Sequence, residues 1–323
     1  MPSVLTHYGF NKEMFNNKLE FLKDNEDIFL VASQGPDPFF FYGLIPFLGK
    51  KNKSDIRNLG GRLHKMDPFR CFEVLFDYCD ESNQKDVLYA YVLGMGMHYI
   101  LDRKIHPYVY YKTGFSDDKK MKKLYFADHT LFETNIDVLL MNNKYRDFRV
   151  RPLDSLECQE DKIRVVSRMY KVLVDKIFGD VLVDDDVFKD VYDHMCMIEK
   201  ILYSGKGVKK RIVGVMAKNT PLNTMMHPLS VKDDNSIDYL NLKKNKWNDP
   251  STGECYYKSF YDLLDEAKED AFCWIDIVKR RYEGESVDLK GFTKGFIYDG
   301  YVEGSKMKKF ESVYRKGEEI NDY

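Results

Sequence analysis

His98, Asp102 and His106 stand four residues apart in turn, and His129 and Glu133 repeat that spacing farther along the chain. On a helix four residues turn about 400°, so each set shares one face with a slow drift. Imidazole nitrogens and carboxylate oxygens brought together from two helices make a ligand set suited to zinc. A set without thiolate fits a catalytic site better than a structural one. With 7 His and 52 acidic residues in the chain, one His-xxx-acid pair is expected roughly once by chance, whereas His-xxx-Asp-xxx-His arises on the order of once or twice per hundred such chains. Leu93, Met97, Ile100 and Leu101 make the segment around His98 apolar nearly all round. Asp102 would therefore be a buried carboxylate that needs a cation beside it.

Three more residues are candidates to complete a site. His7 lies beside a helix start, and Asp37 sits in Gly35-Pro36-Asp37-Pro38, where two prolines stiffen the loop. His64 closes a helical stretch just ahead of Pro68. His194 and His227 have no partner pattern and read as structural. Neither the His-Glu-x-x-His of zinc proteases nor the Glu-x-x-His of di-iron bundles is present. An adjacent His-Asp doublet and a phosphate-binding GxxxxGK[ST] are also missing. Gly94-Met95-Gly96 reads as close packing against a neighbour rather than a nucleotide loop.

The elements that must carry these residues are helical. Apolar positions recur at three and four in Ile163, Val166, Met169, Leu173 and Ile177, with Gly179 placed as a C-cap, and again from Phe260 to Val278. Helices are also expected over Asn11–Leu22, Asp55–Tyr78 with a stop or kink at Pro68, Gln84–Lys104 and Lys119–Leu140. Pro107 predicts that the helix bearing His98 stops at His106. Ile28–Ala32 reads as a short strand. The fold class is all-α, with irregular stretches at Tyr145–Asp161 and Thr220–Gly253, one domain over residues 1–300 and a polar tail over 301–323.

Composition narrows the function classes. Hydrophobic residues at 44% of 323 argue for a large core, and a net charge of -2 gives no basic excess for binding duplex nucleic acid. The longest apolar run, Val87–Leu101, is shorter than the ~20 residues of a membrane span. Six cysteines without a CxxC are read as reduced thiols. The segment Met1–His7 shows no signal peptide, so the expected location is cytoplasmic.

Taken in order, His7 in Thr-His-Tyr, Asp37 in Gly-Pro-Asp, His64, His98-xxx-Asp102-xxx-His106-Pro and His129-xxx-Glu133 resemble the zinc-dependent phospholipase C family. The single-strand nucleases with three zinc ions are distant relatives of that family. All eight side-chain ligand positions of the pattern have a matching residue type. Asp238-Tyr239-Leu240-Asn241-Leu242, Trp247, Pro250, Thr252-Gly253 and Ser259-Phe260 are similar to the C-terminal half of unsecreted members, carrying the resemblance to about residue 280.

The resemblance implies a helical fold enclosing two or three zinc ions. One ion would take Asp37, His64, His98 and Asp102, and a second would take His106, His129 and Glu133. A third would take His7 and a bridging Asp102 with N-terminal backbone groups. It also implies a zinc-dependent phosphodiesterase of phospholipase C type, in which activated water attacks phosphorus; Asp37 is the candidate to accept its proton, and a metal-bound hydroxide would serve as well. The implied substrate is a phosphodiester, phospholipid included, met with transient contact at a membrane surface. Pro38 and Gly61 stand where choline-preferring members place aromatic residues. The alternatives are a single-strand nuclease of the same architecture, using Lys209-Lys210-Arg211 with Lys243-Lys244 and Lys246, or a non-catalytic zinc-binding protein.

Overall fold

A computed structural model describes residues 4–15, 19–44, 52–116, 118–202 and 237–307. His227, the basic run 209–211, residues 220–236 of the expected irregular stretch and residues 308–323 of the expected tail lie outside the described residues. The described chain is mostly helical, and its one sheet is the two-stranded antiparallel pair β1 (Trp247–Asn248) and β2 (Cys255–Tyr256). The fold class is all-α. No described helix is long and apolar enough to cross a membrane.

The organising element is α6 (Lys85–Thr113), buried without interruption from Leu88 to Asp102. Such a helix must be surrounded. Around it pack α1 (Val4–Met14), α2 (Glu26–Val31), α5 (Phe69–Glu81), α7 (Lys119–Asn142), α8 (Glu160–Ile177) and α10 (Phe260–Tyr282). The remaining described helices are α3 (Pro38–Phe41), α4 (Lys53–His64), α9 (Val187–Leu202) and α11 (Leu289–Thr293). Gly94 and Gly96 let two neighbours approach: an added Cβ would stand 2.4 Å from the Phe29 carbonyl at Gly94 and 2.0 Å from Trp274 Nε1 at Gly96. Trp274 donates its indole N–H to the Leu93 carbonyl at 3.1 Å, which seats α10 on α6. The apolar stripe of α10 is buried throughout, and its start carries a reciprocal cap between Ser259 and Asp262.

Four expectations are corrected. Ile28–Ala32 forms no strand: Glu26 and Asp27 open a helical turn, and the helix satisfies its own backbone where the described residues offer no partner strand. Pro107 does not end α6, which runs on to Thr113. The proline leaves the Arg103 carbonyl without its helical donor, and the turn at Phe296–Gly300 packs there, so that a Cβ at Gly300 would stand 2.6 Å from both that carbonyl and the Pro107 ring. Burial of Tyr108 and Val109 holds the following turn in place. The Asn11–Leu22 helix is instead the end of α1 and a short 3-10 turn at Glu20–Leu22. Gly179 is not a left-handed cap; α8 closes on Phe178.

Elsewhere Pro68 stands at the N-cap of α5 and separates it from α4. The Tyr145–Asp161 stretch holds two 3-10 turns. The described cysteines are all free, with Cys71 and Cys79 buried. The first described residues of the polar tail are tied back to the body, the Glu303 amide donating to the Gly295 carbonyl at 2.8 Å.

Candidate metal centre

The eight residues singled out by type and spacing converge on one place. His98, Asp102 and His106 descend one face of α6, His129 and Glu133 face them from α7, and His7 arrives on α1. His64 is the last residue of α4, and Asp37 stands at the N-cap position of α3 without capping it through its side chain. All eight are buried, His64 being the most exposed at 9%. Three groups bring ligand atoms within 4.8 Å of one another: His7 with His98 and Asp102, Asp37 with His64 and His98, and His106 with His129 and Glu133.

Asp102 is the hub. Its Oδ1 lies 3.1 Å from His7 Nε2 and 3.7 Å from His106 Nε2, while its Oδ2 lies 3.1 Å from His98 Nε2 and 3.8 Å from His64 Nε2. Asp37 Oδ1 is 3.2 Å from His64 Nε2. At the other end Glu133 Oε1 is 3.2 Å from His129 Nε2 and 3.6 Å from His106 Nε2.

The imidazoles are oriented from behind. Nδ1–H of His64 donates to the Gly60 carbonyl at 2.7 Å, that of His98 to Ser33 at 2.8 Å and that of His106 to Tyr298 at 2.9 Å. A carbonyl can only accept, so these contacts place a proton on Nδ1 and turn Nε2 toward the carboxylates, where it becomes a metal ligand on losing any proton it holds. His98 Nε2 is fully buried and makes no well-aligned hydrogen bond, although Asp102 lies close to it. A lone pair and a carboxylate oxygen aimed at common space is what a cation needs. The donor set and this orphaned nitrogen fit a metal of nitrogen and oxygen preference.

Without a cation, protons carry the balance. Burial pushes the Asp102 carboxyl up, but His106, His98 and His7 outweigh it and hold it well below its ordinary value. Burial likewise opposes ionisation of Glu133, and His129 and His106 more than offset it. His106 is opposed by burial yet pushed up to about 10 by Asp102 and Glu133. His7, desolvated and stacked on His98 at 4.1 Å between ring centroids, is held below its ordinary value.

Several supporting residues carried no recognisable signal. Gly35 adopts φ +48°, and an added Cβ would stand 2.3 Å from the His98 ring; its place before Pro36 was the only hint. Tyr298 and Asp299 come from a turn near the end of the described chain. The Tyr298 ring lies 4.8 Å from that of His64, and Asp299 Oδ1 stands 3.8 Å from His106 Nδ1 while accepting from Tyr110 Oη at 2.8 Å. His194 stays outside the centre, its Nδ1 accepting from the Gly43 amide at 3.1 Å. Pro38 and Gly61 bring no aromatic ring, but Phe40 does, its centroid 5.2 Å from that of His64. Comparison of the chain with protein-family models, with curated proteins and with solved structures gives no match.

Proposed function

We propose that the chain is a zinc-dependent phosphodiester hydrolase of the phospholipase C type. The observation that carries the reading is the convergence of five imidazoles and three carboxylates on buried common space, with three of the imidazoles held by backbone carbonyls so that Nε2 faces inward. Such an arrangement serves a multinuclear site and has no evident use in packing alone, because it concentrates carboxylates in a buried region.

Asp37, His64 and His98 would hold one ion, His7 and Asp102 a second beside it, and His106, His129 and Glu133 a third. Bound zinc neutralises phosphate oxygens, lowers the pKa of water toward ~7 and stabilises charge on the leaving oxygen. The chain's own contribution is placement. Asp102 faces both ends of the cluster and sets their separation. Asp37, carried on a proline-stiffened turn with its Oδ1 3.2 Å from His64 Nε2, accepts the proton of the attacking water. The three buried Nδ1–H donors fix ring orientation, so little rearrangement is needed when phosphate charge develops.

The test is zinc content of protein purified without an affinity metal, followed by turnover on a chromogenic phosphodiester, phospholipids and a single-stranded oligonucleotide. Two or three ions per chain with hydrolysis of the chromogenic diester are expected. Asp37→Asn should lower turnover by about 10²–10⁴ while zinc is retained. Zero or one ion, unchanged after incubation with zinc, overturns the reading. Turnover of the oligonucleotide alone makes the protein a nuclease, and full zinc without turnover on any substrate makes it a binding protein.

A further inference from the structure

Helix α1 begins at Val4 and has no acidic residue in its first turn, yet its leading amides are not left to solvent. Asp137 of α7 takes them. Its Oδ2 accepts from the Leu5 amide at 3.1 Å, and its Oδ1 accepts from the Thr6 amide at 2.8 Å and from Thr6 Oγ1 at 2.6 Å. Leu5 and Thr6 are the second and third residues of the helix, whose N–H groups lack intrahelical partners and are normally met by a local cap. Here the cap comes from another helix, and a carboxylate at that end also complements the helix dipole. Thr6 and Asp137 are buried, at 0% and 1% exposure.

The residue after Thr6 is His7. On α7, Asp137 lies one turn beyond Glu133, which itself lies one turn beyond His129. One face of α7 therefore presents two candidate ligands and then the group that pins α1. Gln34 adds a second tie, its Nε2 donating to the Val4 carbonyl at 3.2 Å from the turn that leads to Asp37. We infer that Asp137 is a positioning residue: by capping α1 from α7 it sets His7 against Asp102 and so completes the ion site that these two residues share. This assignment rests on the metal reading above and names a residue that touches no ion in that reading.

A purely structural clamp would loosen α1 in any background; a positioning residue acts only through His7. The experiment is zinc binding at buffered free zinc to the full chain and to Asp137→Ala, His7→Ala and the double variant, with amide hydrogen exchange at Leu5 and Thr6. His7→Ala should bind one ion fewer than the wild type. Asp137→Ala should bind that same ion about 10- to 100-fold more weakly, as for other changes behind a ligand, and regain it at high zinc. The double variant should match His7→Ala. Exchange at Leu5 and Thr6 should quicken in Asp137→Ala. Should that variant fail to fold, Asp137→Asn and Thr6→Val remove fewer hydrogen bonds and should shift affinity in the same direction. Wild-type affinity in Asp137→Ala, or a further loss of zinc when it is added to His7→Ala, overturns the assignment alone. Wild-type protein that binds no zinc overturns the proposed function and this assignment together.

Discussion

Helix α6 brings charge into the interior on two faces and treats it differently. On one, His98, Asp102 and His106 meet imidazoles and carboxylates from α1, α4 and α7. On the other, Arg103 and Lys104 meet Asp270 and Glu266 of α10, with Arg103 Nη2 2.5 Å and Lys104 Nζ 3.2 Å from Asp270 Oδ2. The second face is neutralised by full ion pairs and borders a cavity of about 470 Å³ lined by Arg103, Lys104, Trp247 and Phe296. The first is balanced by imidazoles that must share protons. Fixed cations close an interface; titratable ligands around a shared carboxylate leave room for a multivalent ion. The difference marks which face is built for chemistry and which holds α10 to α6.

Asp102→Ala should break this contrast most. It removes the carboxylate that faces His7, His64, His98 and His106, so zinc affinity should fall by more than the roughly 10- to 100-fold of a change behind a ligand. Turnover should vanish with it. Elemental analysis paired with a diester assay reads both, and retained zinc would show that the face does not act as one cluster.

Gly35→Ala comes next. At φ +48° a Cβ is strained, and here it would also strike the His98 ring at 2.3 Å. The strain costs about 1–3 kcal/mol, and the displaced ring should take with it the ions that His98 would share. Thermal unfolding and zinc content check the two parts separately. A variant that is destabilised but keeps full zinc would separate His98 from the centre.

The pH dependence of stability sharpens the contrast without a mutation. His106, raised to about 10 by its carboxylate neighbours against burial, contributes stability to the metal-free chain that is complete below its unfolded value near ~6.5 and lost as pH rises through about 10. Asp102 and Glu133, both lowered, add no slope in that window because they are ionised in either state. Tm in chelator should fall from about pH 6.5 upward, whereas zinc-loaded protein, with unprotonated imidazole ligands, should not follow. Parallel curves would mean that zinc does not replace those protons.

How much of this the sequence discloses depends on where each partner comes from. The α6 triplet and the His129–Glu133 pair are legible because helical spacing is local. Asp37 is legible through its flanking prolines. The groups that aim the imidazoles are not: Ser33 and Tyr298 act through backbone carbonyls, 65 and 192 residues from the rings they hold. A carbonyl has no side-chain signature. The errors at Ile28–Ala32 and Pro107 have the same origin, since β-branched composition and a missing N–H are local signals that packing around α6 overrides. Asp137 was hidden for a related reason: it satisfies amides on another helix, and no local motif records that.

The smallest effect belongs to the second face of α6. Asp270→Asn removes the charge that Arg103 and Lys104 share, yet Arg103 keeps Tyr99 Oη at 3.2 Å and stacks on the Tyr99 ring 5.1 Å away. The side chains of Arg103 and Asp270 are 12% and 29% exposed, so the pair is neither deeply buried nor fully screened. A cost of about 1 kcal/mol, at the upper end for exposed pairs, is expected, and it should shrink in high salt. Zinc content and turnover should not change, because Arg103, Lys104 and Asp270 pair with one another and with Glu266 rather than with any of the eight candidate ligands. Loss of zinc in Asp270→Asn would mean that α10 holds the ligand face in register through α6, and that the two faces act as one.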